Sequence, residues 1–221
     1  MSNRRPLLVA MLAALIVVLG TTVLHSAPFV FAAYHLVLCL LVPLFVSRRQ
    51  GLDLAAHLRS LGLVRRGLRT GLLLGLGSAL VPPLAFALHP ALFPDAARLR
   101  AVLAGWDLPA RAPAAFLFFL AVFNGPAEEL FWRGWLLREP VPGAGVRLLL
   151  ALLFTSYHAA TVGQLAPGLA SSFALLGGVL AGALLWTWLR GRCGSIWPPL
   201  LAHTGATCGY LYVCARLLEL D

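Results

Sequence analysis

Seven apolar stretches of about membrane-crossing length dominate the chain, at residues 6–24, 28–46, 70–89, 113–137, 147–162, 168–189 and 195–215. At about 1.5 Å of rise per residue, most of them reach the roughly 30 Å of hydrocarbon in a bilayer. The expected fold is therefore an all-α polytopic membrane protein of about seven (six to eight) transmembrane helices, forming one integral membrane domain over residues 1–221. Composition agrees: 60% of residues are hydrophobic and 11% charged, and the mean hydropathy of +0.87 lies outside the range of ordinary soluble domains. The fifth stretch is short, and "VPP" at 81–83 and "WPP" at 197–199 leave helix ends open there. Two GxxxG spacings, Gly71 to Gly75 and Gly178 to Gly182, predict helix-packing faces.

Charge supplies the topology. All seventeen basic residues are arginine, and the formal net charge is +9. The arginines sit between apolar segments, and no zinc-finger spacing or glycine-aromatic nucleic-acid motif accompanies them, so they read as topology signals and contacts with anionic membrane lipids, not as a nucleic-acid surface. Arg4 and Arg5, Arg48 through Arg69, Arg138 with Arg147, and Arg190 with Arg192 occupy alternate loops, which places those loops and the N-terminus in the cytoplasm. The opposite loops carry less charge, the exception being 90–112, where Arg98, Arg100 and Arg111 face Asp95 and Asp107. Between the second and third stretches, Leu54, Leu58, Leu61 and Leu68 form a helical stripe opposite a basic face, the pattern of an amphipathic helix on the inner leaflet. Near the N-terminus the apolar core from Leu7 to Leu24 exceeds a usual signal-peptide core, so an uncleaved first span is expected. Cys39, Cys193, Cys208 and Cys214 show no metal-ligand spacing and read as packing residues.

Against this background, "GPAEELFWRGWLL" at 125–137 places two adjacent glutamates inside an apolar segment. A charge at the bilayer centre costs about 2.5–3.5 kcal/mol on insertion scales and marks a functional site by default. Glu128 lies ten residues before Arg138, His158 eleven after Arg147 and His203 eleven after Arg192, so helices bring all three to roughly 15–17 Å from the cytoplasmic anchors. On one helix Arg133 is the (i, i+4) neighbour of Glu129 but points about 140° away from Glu128. Arg133 therefore neutralises Glu129 first and leaves Glu128 as the carboxylate free to act on water as a general base, with Asn124 one turn earlier to orient it. His158 shares a face with Phe154. His25, His35, His57 and His89 fall near segment ends or in loops and carry no such expectation.

"EELFWR" (Glu128, Glu129, Arg133), "FTSYH" (Phe154, His158) and "HTGAT" (His203 to Thr207) resemble, in order and spacing, the EExxxR, FxxxH and HxxxN motifs of the CAAX protease and bacteriocin-processing (Abi) family of intramembrane proteases. The resemblance covers about residues 50–215, with Thr207 where that family usually carries Asn. It implies an intramembrane endopeptidase acting on a peptide or lipidated protein substrate in a cytoplasm-facing cavity, located in what is expected to be a bacterial cell membrane. By the same resemblance Glu128 and His158 activate the attacking water, His203 and Thr207 stabilise the oxyanion, and Glu129 and Arg133 support the first pair. The family is called a metalloprotease, so a divalent metal such as zinc on Glu128, His158 and His203 is the alternative to a metal-free site, although the chain has no HExxH. Two rival functions use the same residues. One is a transporter or proton relay, which calls for inverted repeats that the sequence does not show. The other is a non-catalytic immunity or scaffold protein that keeps the fold.

Overall fold

The computed structural model describes residues 4–108, 113–138 and 143–220, and it is helical throughout, with no strand among the described residues. Arg111 and the side chains of Arg4 and Arg5, which the sequence counts among the loop charges, lie outside the described set. Helices α1 (Pro6–Val23), α2 (Ala27–Arg49), α4 (Leu68–Leu88), α6 (Ala114–Trp135) and α9 (Leu169–Cys193) are each long and apolar enough to cross a membrane. The shorter apolar α7 (Ala144–His158) and the 22-residue α10 (Trp197–Leu218) account for the other two apolar stretches. Between them lie α3 (Leu54–Ser60), α5 (Ala96–Gly105) and the single turn α8 (Val162–Leu165).

Local chemistry sets the boundaries. Ser26 caps α2, its Oγ accepting from Phe29 N–H at 3.4 Å, and Asp53 caps α3, accepting from Ala56 N–H at 2.7 Å; each satisfies an amide that has no partner in the first helical turn. Gly194 ends α9 in the left-handed region at φ +63°, a conformation that costs glycine no Cβ clash. Pro198 and Pro199 occupy the first turn of α10, where a missing N–H is tolerated. Pro82 and Pro83, by contrast, are accommodated inside α4 without ending it. The two proline pairs thus have different outcomes.

Three expectations need correction. The leucine stripe from 54 to 68 is not one amphipathic helix. Helix α3 stops at Ser60, and the chain turns through Gly62 (φ +87°) and Gly67 (φ +79°), burying Leu61 while Leu54 and Leu58 stay exposed. Within α3, His57 is bonded to Ser47 at 2.8 Å; burial first, then the Arg138 and Arg48 charges, hold its imidazole below the usual range, so the basic face of α3 rests on arginine alone. Segment 90–112 is not simply a loop, because Asp95 caps α5 by accepting from Arg98 N–H at 2.7 Å, and Leu99, Leu103 and Trp106 pack with Leu117, Cys214 and Leu218. The third correction concerns Gly178, where an added Cβ would meet nothing within 4 Å, and Gly182, where the nearest atoms belong to Trp186 of its own helix; neither shows the close interhelical approach of a packing face.

The other GxxxG does show that approach. A Cβ on Gly71 would fall 2.7 Å from the Trp197 carbonyl and one on Gly75 2.9 Å from the Leu201 carbonyl, while Gly205 and Gly209 of α10 abut the backbones of Gly75 and Ala79. This small-residue seam locks α10 to α4 through backbone contact, the packing mode favoured where lipid supplies no hydrophobic drive between helices. Gly125 of α6 abuts Thr204 on another side of α10. Helix α10 is therefore clamped on both sides of the residue after His203. We expect Gly205→Val to cost at least the roughly 1–3 kcal/mol of an overpacked core, because its clash is with backbone that cannot swing aside. Thermal melts and size-exclusion profiles in detergent check this, and a wild-type midpoint would show the seam to be loose.

Candidate active site

Helix α6 is wound unusually at the site. Its turns Leu120–Asn124 and Leu130–Trp135 are π-helical, as is Phe31–Leu41 of α2, with Leu136 N–H reaching back five residues to the Phe131 carbonyl at 2.9 Å. Such wide turns are rare and cluster at functional sites. Here they bracket the Glu128-Glu129 pair.

Glu129 is the structural carboxylate. Its Oε1 accepts from Arg133 Nη1 at 2.7 Å and from His203 Nδ1 at 2.9 Å. Arg133 also donates from Nη2 to the Ala183 carbonyl at 3.2 Å, and its guanidinium lies over the rings of Phe154 and Trp186, at 4.4 and 5.3 Å. Arg190 of α9 in turn donates to the Arg133 carbonyl at 2.9 Å. The (i, i+4) pairing read from the sequence is therefore present, and it reaches α9 and α10 as well.

Glu128 is held differently. Its Oε1 lies 3.1 Å from the Tyr34 hydroxyl and 2.9 Å from that of Tyr157, and Trp132 Nε1 donates to Tyr34 at 2.8 Å. Its Oε2 meets only the Asn124 amide at 3.5 Å and His203 Nε2 at 3.7 Å. One oxygen is thus clamped by phenols, and the other faces an imidazole at more than bonding distance. Arg133, on the same helix, is bonded to Glu129 instead.

His203 bridges the two glutamates, since its Nδ1 donates to Glu129 and its Nε2 looks toward Glu128. Its ring stacks on Trp186 at 4.1 Å and 18°. His158 bonds through Nδ1 to the Phe154 carbonyl at 2.8 Å; a carbonyl only accepts, so Nδ1 carries the hydrogen and Nε2 presents its lone pair. His158 makes no direct bond to Glu128 but lies within its electrostatic reach. Thr207 is half-buried one turn beyond His203 and has no hydrogen bond among the described residues, while the Thr204 hydroxyl is buried without a partner.

The charged core of the cluster is closed, while His158, Asn124 and Thr207 are only half-buried. Glu128, Glu129, Arg133 and His203 are 2%, 0%, 2% and 4% exposed, beneath Phe131, Trp132 and Phe154, which are fully buried. The expected open cavity toward the cytoplasm is not seen among the described residues. A cleft of about 260 Å³ runs elsewhere, along α6 and α10 from Ala114 and Leu117 to Cys208 and Tyr212.

Tyr34, His35 and Tyr157 also belong to the cluster, beyond the residues that the sequence motifs mark. His35 is buried, not peripheral: its Nε2 lies 2.7 Å from Asn124 Oδ1 and 4.0 Å from Glu128 Oε1. The sequence does contain a signal, since "YH" occurs at 34–35 as well as at 157–158, and both dipeptides converge on Glu128.

Helical membrane spans enclosing a buried, hydrogen-bonded Glu/His/Arg cluster define an integral membrane protein with an intramembrane polar site. Residues 110–209, which carry all six candidate site residues, match the family model described as type II CAAX prenyl endopeptidase, Rce1-like. That segment is similar to the Rce1-like CAAX endopeptidases, a likeness that supports a membrane endopeptidase at family level. No curated protein and no solved structure matches the chain.

Proposed function

We propose that this protein hydrolyses a peptide bond of a membrane-anchored or lipidated substrate, with Glu128 and His158 activating water. The observation that carries the reading is the asymmetry of the glutamates: Glu129 is bound by Arg133 and His203, whereas Oε2 of Glu128 has no hydrogen bond to a charged donor and lies 3.7 Å from the His203 imidazole. Water placed between Glu128 Oε2 and His158 Nε2 gives up a proton to the pair as its oxygen attacks the scissile carbonyl. In its imidazolium form His203 donates from both nitrogens, one to Glu129 and one toward the oxyanion, with Thr207 as the second donor. The proton taken up at Glu128 then passes to the leaving amine. Since Glu128 is 2% exposed, a cleavage cycle requires opening, which we place on the cytoplasmic side together with the N-terminus, following the arginine-rich loops. The test is cleavage in liposomes of a C-terminally prenylated peptide and its unmodified counterpart, with mass spectrometry of the products. Absence of cleavage of either peptide, and of any new termini in native membranes containing the protein, would sink the reading.

Among the described residues no three His, Cys, Asp or Glu side chains are grouped to hold an ion; the bond from His203 Nδ1 to Glu129 leaves Nε2 as the nitrogen that would ligate one, and the mechanism above routes no step through a metal. We expect elemental analysis of the purified protein to find no stoichiometric metal. One equivalent of zinc, lost together with activity in His158→Ala, would reverse this.

Thr207 is the departure from the family motif. Its hydroxyl is one donor on a shorter reach than an Asn amide. Thr207→Asn should preserve or raise kcat, and Thr207→Val should lower it, by up to the roughly 10²- to 10³-fold of a lost oxyanion donor. Equal rates for all three proteins would withdraw Thr207 from the oxyanion site.

A further inference from the structure

The cluster extends beyond the family-matched segment, because Tyr34 and His35 come from α2, far outside residues 110–209. We infer that His35 is a positioning residue of this site, setting the Glu128 carboxylate through the Asn124 amide; this rests on the proposed hydrolytic role of Glu128. An amide oxygen can only accept, so in the 2.7 Å contact His35 Nε2 donates to Asn124 Oδ1. That bond decides which end of Asn124 faces which neighbour. The two ends of an amide are nearly identical in shape, and only their hydrogen-bond partners select between them. With its oxygen held by His35, Asn124 turns Nδ2 toward Glu128 Oε2 at 3.5 Å. If the amide were reversed, an oxygen would face the carboxylate and repel it.

The consequence falls on the oxygen that matters. Oε1 is fixed by two phenols, so the Asn124 N–H is the neutral donor that aims Oε2, the atom left to take a proton from water. The His35 ring is itself built in: it is 4% exposed, stacks on Phe31 at 4.9 Å and 26° and meets Tyr34 edge-on at 4.7 Å. A buried imidazole in van der Waals contact on these faces has little freedom to turn, which suits an orienting role. The π-helical winding of Phe31–Leu41 lets the adjacent Tyr34 and His35 approach the same carboxylate, one directly and one through Asn124.

The experiment compares His35→Phe, which keeps the stack on Phe31 but loses the donor, with His35→Gln, which retains an N–H. Each is measured alone and in an Asn124→Leu background, for kcat, KM and thermal midpoint in detergent. Removing an orienting partner typically costs roughly 10- to 100-fold in activity, so His35→Phe should lower kcat by that factor with KM little changed. His35→Gln should recover most of the loss, and His35→Phe should cost nothing further once Asn124 is Leu. A wild-type kcat in His35→Phe, or the same fold-loss in both backgrounds, overturns the inference. If His35→Phe does not fold, Asn124→Leu decides: a wild-type kcat there is equally fatal. If Glu128→Gln cleaves like wild type, the hydrolytic reading falls on its own, and the coupling is then judged by thermal midpoints, where additive shifts for His35→Phe and Asn124→Leu overturn it and non-additive ones support it.

Discussion

Glu128→Gln should abolish peptide-bond cleavage while leaving a folded protein. General acid-base assistance is worth about 10²- to 10⁴-fold, and a neutral amide at this position cannot take the proton of the attacking water. The fold should survive because the Gln oxygen can still accept from Tyr34 and Tyr157, the contacts that hold Oε1 now, and because the Glu129–Arg133 pair is left intact. Glu129→Gln is the informative contrast. It weakens bonds to Arg133 and His203 at once, so its loss of activity should come with a loss of stability. Initial rates on a membrane-reconstituted substrate, paired with melts, separate the two cases. A Glu128→Gln enzyme working at wild-type rate would mean that the water is activated by another group.

The apolar segments were legible from hydropathy because a membrane span must be continuously apolar, a requirement that depends on no partner. The Glu129–Arg133 pair was legible for the same reason, since an (i, i+4) spacing lies within one helix. What the sequence hid was interhelical. Gly71–Gly75 and Gly178–Gly182 look alike in sequence, but only the first meets a facing helix, at Trp197, Leu201 and Gly205. His35 looked peripheral when measured along its own segment, yet it reaches Asn124, 89 residues away. The stripe of Leu54, Leu58, Leu61 and Leu68 misled because periodicity takes no account of the left-handed turns at Gly62 and Gly67. The family match at 110–209 likewise covers the motif-bearing helices and leaves out the α2 residues that complete the hydrogen bonding of Glu128.

Arg133→Met should be the most destabilising single substitution in the cluster. Arg133 is 2% exposed, and its two donors satisfy Glu129 and the Ala183 carbonyl while its plane lies over Phe154 and Trp186. Removing it leaves a carboxylate that is 0% exposed, with Oε2 already unpartnered and only His203 on Oε1. Breaking a buried pair in this way typically costs about 3–5 kcal/mol. Arg133→Lys should not rescue it, because a compact ammonium lacks the planar fork that reaches Glu129 and the Ala183 carbonyl together while lying flat on two rings. The double variant Glu129→Gln/Arg133→Met removes the stranded charge as well, so it should be more stable than Arg133→Met alone, recovering part of the lost midpoint but little activity, since His203 has then lost the carboxylate that orients it. A double variant no more stable than Arg133→Met would mean that the loss comes from packing against Phe154 and Trp186. A wild-type midpoint in Arg133→Met itself would show that the Glu129–Arg133 pair contributes nothing to the fold.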